Sequence, residues 1–121
     1  MRIYLQWLGV SIVALIVAIA SLGCDKPATS GNSGEQLFAA NRCATCHGDA
    51  LDGKLNLGPA LGGLKANWKS ADELSKYLAN PAEYALGDQR LREQMSKYSM
   101  KMPAMSMTDE ERDALAKWLL K

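Results

Sequence analysis

The feature that most constrains this chain is the run Cys-Ala-Thr-Cys-His at residues 43–47, which places two thiols and an imidazole within five positions. A C-x-x-C-H run is typical of covalent haem attachment. In that chemistry the two cysteines add across the haem vinyl groups as thioethers, and the adjacent imidazole binds iron from one side of the ring. The run therefore predicts one covalent haem c, attached through Cys43 and Cys46, with His47 as the proximal iron ligand.

Two other kinds of site also use a C-x-x-C pair. A zinc site needs about four ligands, but the only other cysteine is Cys24, far upstream, and the chain has no second histidine. A thioredoxin-like dithiol is expected within a βαβ unit, and no alternating β-branched run follows residue 47. Haem attachment is therefore preferred to both alternatives.

The composition limits the chain to one small domain preceded by an apolar segment. The 121 residues include 14 basic and 13 acidic side chains, so they lack the charge excess expected of a nucleic-acid-binding protein. Residues 3–22 are apolar apart mainly from Gln6. We predict that residues 1–23 are a signal peptide or membrane anchor, that residues 24–33 are a linker rich in turn formers, and that residues 34–121 fold.

The end of the apolar segment allows three outcomes. Gly23-Cys24 resembles the lipobox of bacterial lipoproteins, although Ser21 stands where that box usually carries leucine. Residues 18–20, Ala-Ile-Ala, fit a small-x-small signal-peptidase site, which would release a soluble protein. The uncleaved segment is long enough to span a bilayer. We favour lipidation of Cys24, followed by the uncleaved anchor, and both outcomes hold the domain on the periplasmic side of the membrane.

The rest of the sequence follows a helical pattern, and no strand pattern competes with it. Three segments begin with a hydroxyl residue followed three positions later by Gln or Glu, as in a capping box. These pairs are Ser33 with Gln36, Ser70 with Glu73, and Thr108 with Glu111. Helices are predicted from residue 34 into the segment 43–47, over 70–79 with a stop at Asn80-Pro81, over 88–97 and over 109–120. The fold class is therefore all-α.

From Gly34 onward the chain resembles the monohaem class I cytochromes c, and the resemblance covers nearly everything after the linker. It rests on motifs in a fixed order: Gly34 and Phe38, Cys43-Ala44-Thr45-Cys46-His47-Gly48, Gly58-Pro59-Ala60-Leu61, Met102-Pro103-Ala104, and an acidic-capped last helix ending Leu115-Ala116-Lys117-Trp118-Leu119. It implies a bacterial, membrane-anchored cytochrome c whose helices wrap around one covalent haem. It also implies that the first and last helices cross where Gly34 allows close approach, with Phe38 against Leu115 and Trp118.

The resemblance assigns two further residues near His47. It implies that the carbonyl of Pro59 accepts the proton on the His47 ring nitrogen that does not bind iron, which would fix the tautomer and raise the basicity of the ligand. It also implies that Leu61 presses on the haem face and excludes water.

The second iron ligand follows partly from the residues themselves. Because His47 is the only histidine, two imidazoles cannot bind the iron within one subunit. Methionine is the natural candidate, since a neutral thioether favours ferrous iron. Five methionines lie near the right place: Met95, Met100, Met102, Met105 and Met107. The Met-Pro pattern of the resemblance selects Met102, with Met100 as the alternative.

Two groups of side chains have no single assignment from the sequence. One group either bonds the haem propionates or lines the core, and it consists of Trp68, Tyr77, Tyr84 and Tyr98. The other either surrounds an exposed haem edge and steers an acidic partner or forms a scattered solvated surface, and it consists of Lys54, Lys65, Lys69, Lys97 and Lys101. For the lysines, the scattered surface is the favoured interpretation.

The favoured function is electron transfer by a membrane-tethered monohaem protein that is not itself an enzyme. The sequence offers no nucleophile with a base, no paired carboxylates and no phosphate loop, so catalysis by side chains is not expected. Its expected partners are redox proteins and the membrane. Two alternatives stay open: a haem subunit of a larger redox enzyme, or a gas sensor or peroxidase if Met102 dissociates readily.

Overall fold

The structure, a computed structural model, describes residues 31–121 and is helical over that range. The predicted anchor, Cys24 and most of the linker lie outside the described residues. The helices are α1 (Gly34–Ala40), α2 (Ala44–His47), α3 (Ala71–Ala79), α4 (Pro81–Leu86), α5 (Gln89–Ser96) and α6 (Asp109–Leu119), with a 3-10 turn at Leu64–Ala66. Within residues 31–121 the only β pairing is an isolated bridge between Lys54 and Gly58. The all-α prediction is confirmed.

Two of the three predicted capping boxes are complete. Ser33 and Thr108 each accept a hydrogen bond from the backbone three residues later, and the side chain at that later position accepts one in return. The box at Ser70 is only half formed. Ser70 Oγ accepts from Glu73 N–H at 3.1 Å, but the Glu73 carboxylate accepts from Lys69 N–H at 2.8 Å instead. The predicted start of α3 is correct even so, because one side-chain cap is enough to begin a helix.

The prediction that the first helix continues into the segment 43–47 is wrong. Helix α1 ends at Ala40, and Arg42 adopts a left-handed conformation with φ 54°. The Cys43 N–H then bonds to the carbonyl of Phe38 at 3.1 Å, so the chain turns sharply before α2 begins. A left-handed arginine is uncommon, and no residue at this position signals the turn.

Helix α4 was not predicted, because Asn80-Pro81 was interpreted only as a stop signal. The same pair also starts the next helix. Asn80 Oδ1 accepts from Glu83 N–H at 3.4 Å, and Pro81 occupies the first turn, where its missing N–H costs nothing. The predicted helix over 88–97 is confirmed as α5.

Helices α1 and α6 pack against each other around Gly34. A Cβ at Gly34 would overlap Trp118 Cβ, so only glycine allows this approach. Phe38 packs on Trp118 with ring centroids 5.4 Å apart, and Leu115 is fully buried beside them. The crossing predicted for the first and last helices is confirmed. None of the helices between residues 31 and 121 is long and apolar enough to cross a membrane.

Candidate haem-binding site

The C-x-x-C-H segment forms one helical turn. Cys43 precedes α2 and His47 ends it, and the His47 N–H donates to the carbonyl of Cys43 at 3.0 Å. Gly48 follows with φ 78°, a value that L side chains rarely adopt, and turns the chain away from the helix. Both cysteines are free thiols and half-buried. The turn therefore holds the two thiols and the imidazole together as the sequence predicts.

His47 is buried, with 7% of its surface exposed, and its ring orientation is fixed by one hydrogen bond. Nδ1 lies 2.8 Å from the carbonyl oxygen of Pro59. A carbonyl can only accept, so Nδ1 carries the proton and Nε2 keeps the lone pair with which an imidazole binds a metal. This is the contact that the resemblance implies for Pro59.

The chain between His47 and Leu61 folds back tightly on α2. Gly53 N–H donates to the carbonyl of His47 at 2.8 Å, and Leu61 N–H donates to that of Leu51 at 2.8 Å. Gly58 lies directly on Cys46, where an added Cβ would stand only 2.8 Å from the Cys46 carbonyl oxygen. These backbone contacts bring Pro59 and Leu61 to the same place as His47.

A mostly apolar cavity opens beside this segment. Counted with its opening to solvent, the space free of protein atoms is about 880 Å³. Its walls include Cys43, His47, Gly58, Pro59 and Leu61 from the tight segment. The remaining lining residues come from α1, the segment 57–68, α3, α5, the segment between α5 and α6, and α6: Phe38, Leu57, Leu64, Trp68, Leu74, Tyr77, Leu78, Leu91, Gln94, Met95, Tyr98, Met100, Met102, Met105, Leu115 and Leu119.

Four of the five candidate methionines line this cavity. Residues 97–108 join α5 to α6 without regular secondary structure, and we call them the methionine loop. Met102 is half-buried in this loop, whereas Met100 is 56% exposed. Met107 is different, because it is packed in the core at the end of the loop. The cavity walls include both Met102 and Met100, and the choice of ligand between them rests on the Met-Pro pattern.

The four aromatic residues left unassigned by the sequence divide into two groups. Trp68, Tyr77 and Tyr98 line the cavity. Tyr84 does not: its hydroxyl donates to Glu73 at 3.3 Å, and its ring packs on Trp68 with centroids 6.1 Å apart. Tyr84 therefore supports the cavity wall from behind, while the other three present their rings to the space that a haem would fill.

Two contacts near the cavity were missed from the sequence. The Arg90 guanidinium lies over the Trp68 ring, 5.0 Å from its centroid. The face of the ring attracts the positive charge of the guanidinium. The Asn41 side chain reaches Met107 across 66 residues of sequence. Neither residue belongs to a motif, and no local pattern signals either partner.

The donor set fits haem c better than a dithiol redox site. Burial raises the pKa of the Cys43 thiol, and the neighbouring Cys46 adds to this effect, although a backbone hydrogen bond opposes it. Redox-active C-x-x-C cysteines instead have a lowered pKa, which supplies the thiolate nucleophile. The Cys43 thiol and the oriented His47 imidazole line the apolar cavity, and Cys46 lies on the same helical turn, an arrangement that suits covalent haem attachment.

Comparison with known proteins agrees with this geometry. The sequence model of the Cytochrome c family matches residues 32–121, which is nearly all of the described part. No curated protein and no solved structure was found to match the chain. Because the family match spans most of the sequence and includes the whole cavity, the chain belongs to the cytochrome c family and binds haem c covalently.

Proposed function

We propose that this protein is a membrane-tethered electron carrier in which His47 and Met102 bind the iron of a single haem c. The observation that supports it best is the buried His47 imidazole. Its Nδ1 is committed to Pro59, and its ring lines an apolar cavity that Met102 also lines. One imidazole and one thioether from this chain would then hold the iron.

The bound haem would supply one-electron exchange between ferrous and ferric iron. The chain's own residues attach, orient and enclose it. Cys43 and Cys46 fix its position, and the Pro59 carbonyl holds the imidazole in one tautomer. The apolar walls, among them Leu61, keep water out, so little solvent would have to reorganise when an electron passes.

One edge of the cavity is accessible to other proteins. Leu57 and Met100 line the cavity and also contact solvent, with 36% and 56% of their surfaces exposed. Leu55, at the turn beside them, is 90% exposed. Exposed apolar side chains around a cofactor site are typical of interaction surfaces. We place the docking of redox protein partners at this edge.

The gas-sensor or peroxidase alternative is favoured by one observation, the irregular structure of the methionine loop. A ligand carried on such a segment is easier to displace than one held on a helix. The two functions differ in what Met102 would do. In a carrier Met102 would stay bound to the iron, whereas in a sensor or peroxidase it would give way to a small molecule.

The haem attachment is tested by mass spectrometry. Protein expressed with a cytochrome maturation system should keep the mass of one haem after acid denaturation and acetone extraction. Cys43→Ala and Cys46→Ala should each retain at most one thioether, and the double variant should lose all covalent haem. An unmutated protein without haem mass would rule out the assignment of both cysteines.

Iron ligation by Met102 is tested with carbon monoxide. The unmutated ferrous protein should be low-spin and bind carbon monoxide poorly, and its ferric form should show the absorption band of a thioether–iron bond. Met102→Ala should open the site, lose the band and lower the reduction potential. Met100→Ala is the matched control and should change none of these. Loss of the band in Met100→Ala alone would transfer the ligand to Met100, and rapid carbon monoxide binding by the unmutated protein would favour the sensor or peroxidase.

Tethering is a separate part of the proposal and rests on the apolar segment ending at Gly23-Cys24. We propose lipidation of Cys24 and a position on the periplasmic side of the membrane. Intact mass distinguishes the routes, because a lipoprotein begins with an acylated Cys24, an uncleaved anchor keeps Met1, and a secreted protein begins at Ser21. Cys24→Ala should abolish acylation and processing only if the first route operates.

A further inference from the structure

We propose that Asn41 is a positioning residue for the iron ligand carried by the methionine loop. Its side-chain amide fastens the end of that loop to the segment that leads into the haem-attachment turn. Through this contact Asn41 would hold the methionine loop in a fixed position relative to the haem-attachment turn. The inference rests on the proposed function in one respect, the ligation of iron by Met102.

Asn41 lies between the two parts that it connects. It caps the end of α1, two residues before Cys43, and is half-buried. Its Nδ2 donates to the carbonyl of Leu37 at 2.8 Å and to Met107 Sδ at 3.3 Å. An amide nitrogen carries two hydrogens, so it can serve both acceptors at once. The bond to Leu37 holds the amide in place, and the bond to Met107 reaches across to the loop.

Met107 is the most firmly held residue of the methionine loop. It is 9% exposed and belongs to the hydrophobic core. Its carbonyl accepts from the Arg112 guanidinium, and its N–H donates to the carbonyl of Met105 at 2.9 Å. Met105 N–H in turn donates to the carbonyl of Leu78 at 3.1 Å. Among these contacts, only the bond between the Met107 sulfur and Asn41 reaches the haem-attachment side.

Between Ser99 and Met105 the loop has a single hydrogen bond to the described part of the chain, from Lys101 Nζ to the carbonyl of Met95 at 3.0 Å. Pro103 and Ala104 are exposed, and Met102 is half-buried at the cavity wall. The position of the Met102 thioether therefore depends on how firmly the Met105–Met107 end of the loop is held. Loosening that end would enlarge the volume that Met102 samples. The effective concentration of the thioether at the iron would then fall, as that of a tethered ligand falls when its linker is lengthened.

The test uses the holoprotein and compares Asn41→Ala with Met107→Leu. Each removes one partner of the same contact, and leucine nearly preserves the volume of methionine. Both variants should bind carbon monoxide faster in the ferrous state by roughly threefold to tenfold, the factor expected for one lost hydrogen bond. The double variant should be no faster than either single variant. Asn67→Ala, at an exposed asparagine whose side chain has no hydrogen bond within residues 31–121, should bind at the rate of the unmutated protein.

The outcomes separate this inference from the proposed function. If Asn41→Ala and Met107→Leu keep the unmutated rate and thioether band, even with a lower melting temperature, Asn41 is only structural and the inference is wrong. Rate increases that multiply in the double variant would also overturn it, because the two residues would then act independently. If the unmutated protein already binds carbon monoxide as fast as Met102→Ala, the ligation itself fails and the inference fails with it.

Discussion

The two sides of the candidate haem site are built in different ways. The histidine side, residues 43–61, is held by short backbone hydrogen bonds and by glycines that lie directly on neighbouring backbone, as Gly58 lies on Cys46. The methionine loop, residues 97–108, has no helix and is fastened mainly at its ends, at Ser99 and at Met105–Met107. The histidine side therefore leaves no room for a side chain at Gly53 or Gly58, whereas the middle of the methionine loop has few contacts that hold it.

The difference matches what each proposed ligand would have to do. An imidazole binds iron through the nitrogen that carries no proton, and the Pro59 carbonyl holds the proton on the other nitrogen, so that carbonyl must not shift. A thioether has no proton to control and a flexible side chain, so it tolerates a less rigid support. The comparison predicts that substitutions on the histidine side affect folding, and that substitutions in the methionine loop affect mainly ligand exchange.

The largest effect is expected from Gly58→Ala on the histidine side. The new Cβ would lie 2.8 Å from the Cys46 carbonyl oxygen, so the backbone around a haem-attachment cysteine would have to move. Overpacking of this kind costs about 1–3 kcal/mol. Thermal unfolding of the holoprotein should show a melting temperature lower by about 4–24 °C, at about 4–8 °C per kcal/mol for a domain of this size.

Gly62→Ala is the matched control for that substitution. A Cβ at Gly62 would meet only the Leu51 carbonyl at 3.9 Å, an ordinary van der Waals distance. Its melting temperature should stay the same or rise slightly, because alanine reduces the entropy of the unfolded chain. Equal effects at Gly58 and Gly62 would contradict the view that Gly58 is packed directly on the backbone of Cys46.

The sequence predicted the histidine side better than it predicted the connections around it. Cys43, Cys46 and His47 share one motif, so a single local pattern specifies all three. The turn at Arg42 could not be predicted, because its left-handed conformation is set by the hydrogen bond from Cys43 back to Phe38. This bond and the one from Arg42 N–H to the carbonyl of Ala39 form a local helix-ending motif whose left-handed position is usually glycine, so an arginine there gives no sequence signal.

The prediction of the helices was also incomplete, for a different reason. Asn80-Pro81 has two roles, since it ends one helix and begins the next, and only the stop was recognised.

In the methionine loop, Met100 and Met102 differ by two positions, and both line the cavity. The composition of the loop predicts that a methionine is available, but neither spacing nor burial alone selects the ligand.

An intermediate effect is expected in amide hydrogen exchange, which compares the two sides directly. The Gly53 and Leu61 amides each bond to a backbone carbonyl at 2.8 Å within the tight segment. The Ser99 amide bonds at 3.2 Å to Asn56, and both residues are exposed. Exchange at Ser99 should be at least about tenfold faster, since local openings of weakly packed segments cost little free energy. Equal protection of all three amides would show that the Ser99 end of the methionine loop is held as firmly as the histidine side.

The smallest effect is expected from Ser99→Ala in the methionine loop. Ser99 Oγ donates to the Asn56 carbonyl at 2.8 Å, and the Ser99 backbone N–H donates to the same oxygen, so the substitution leaves one of two bonds in place. Since both residues are exposed, water can replace the lost hydroxyl, and the free energy of unfolding should fall by no more than about 0.5–1 kcal/mol. Denaturant unfolding of the holoprotein measures this, with Ser106→Ala as the control, because Ser106 is exposed and its side chain has no hydrogen bond in the described part of the chain. A loss as large as that of Gly58→Ala would mean that this contact supports the whole fold, and the contrast between the two sides would then be wrong.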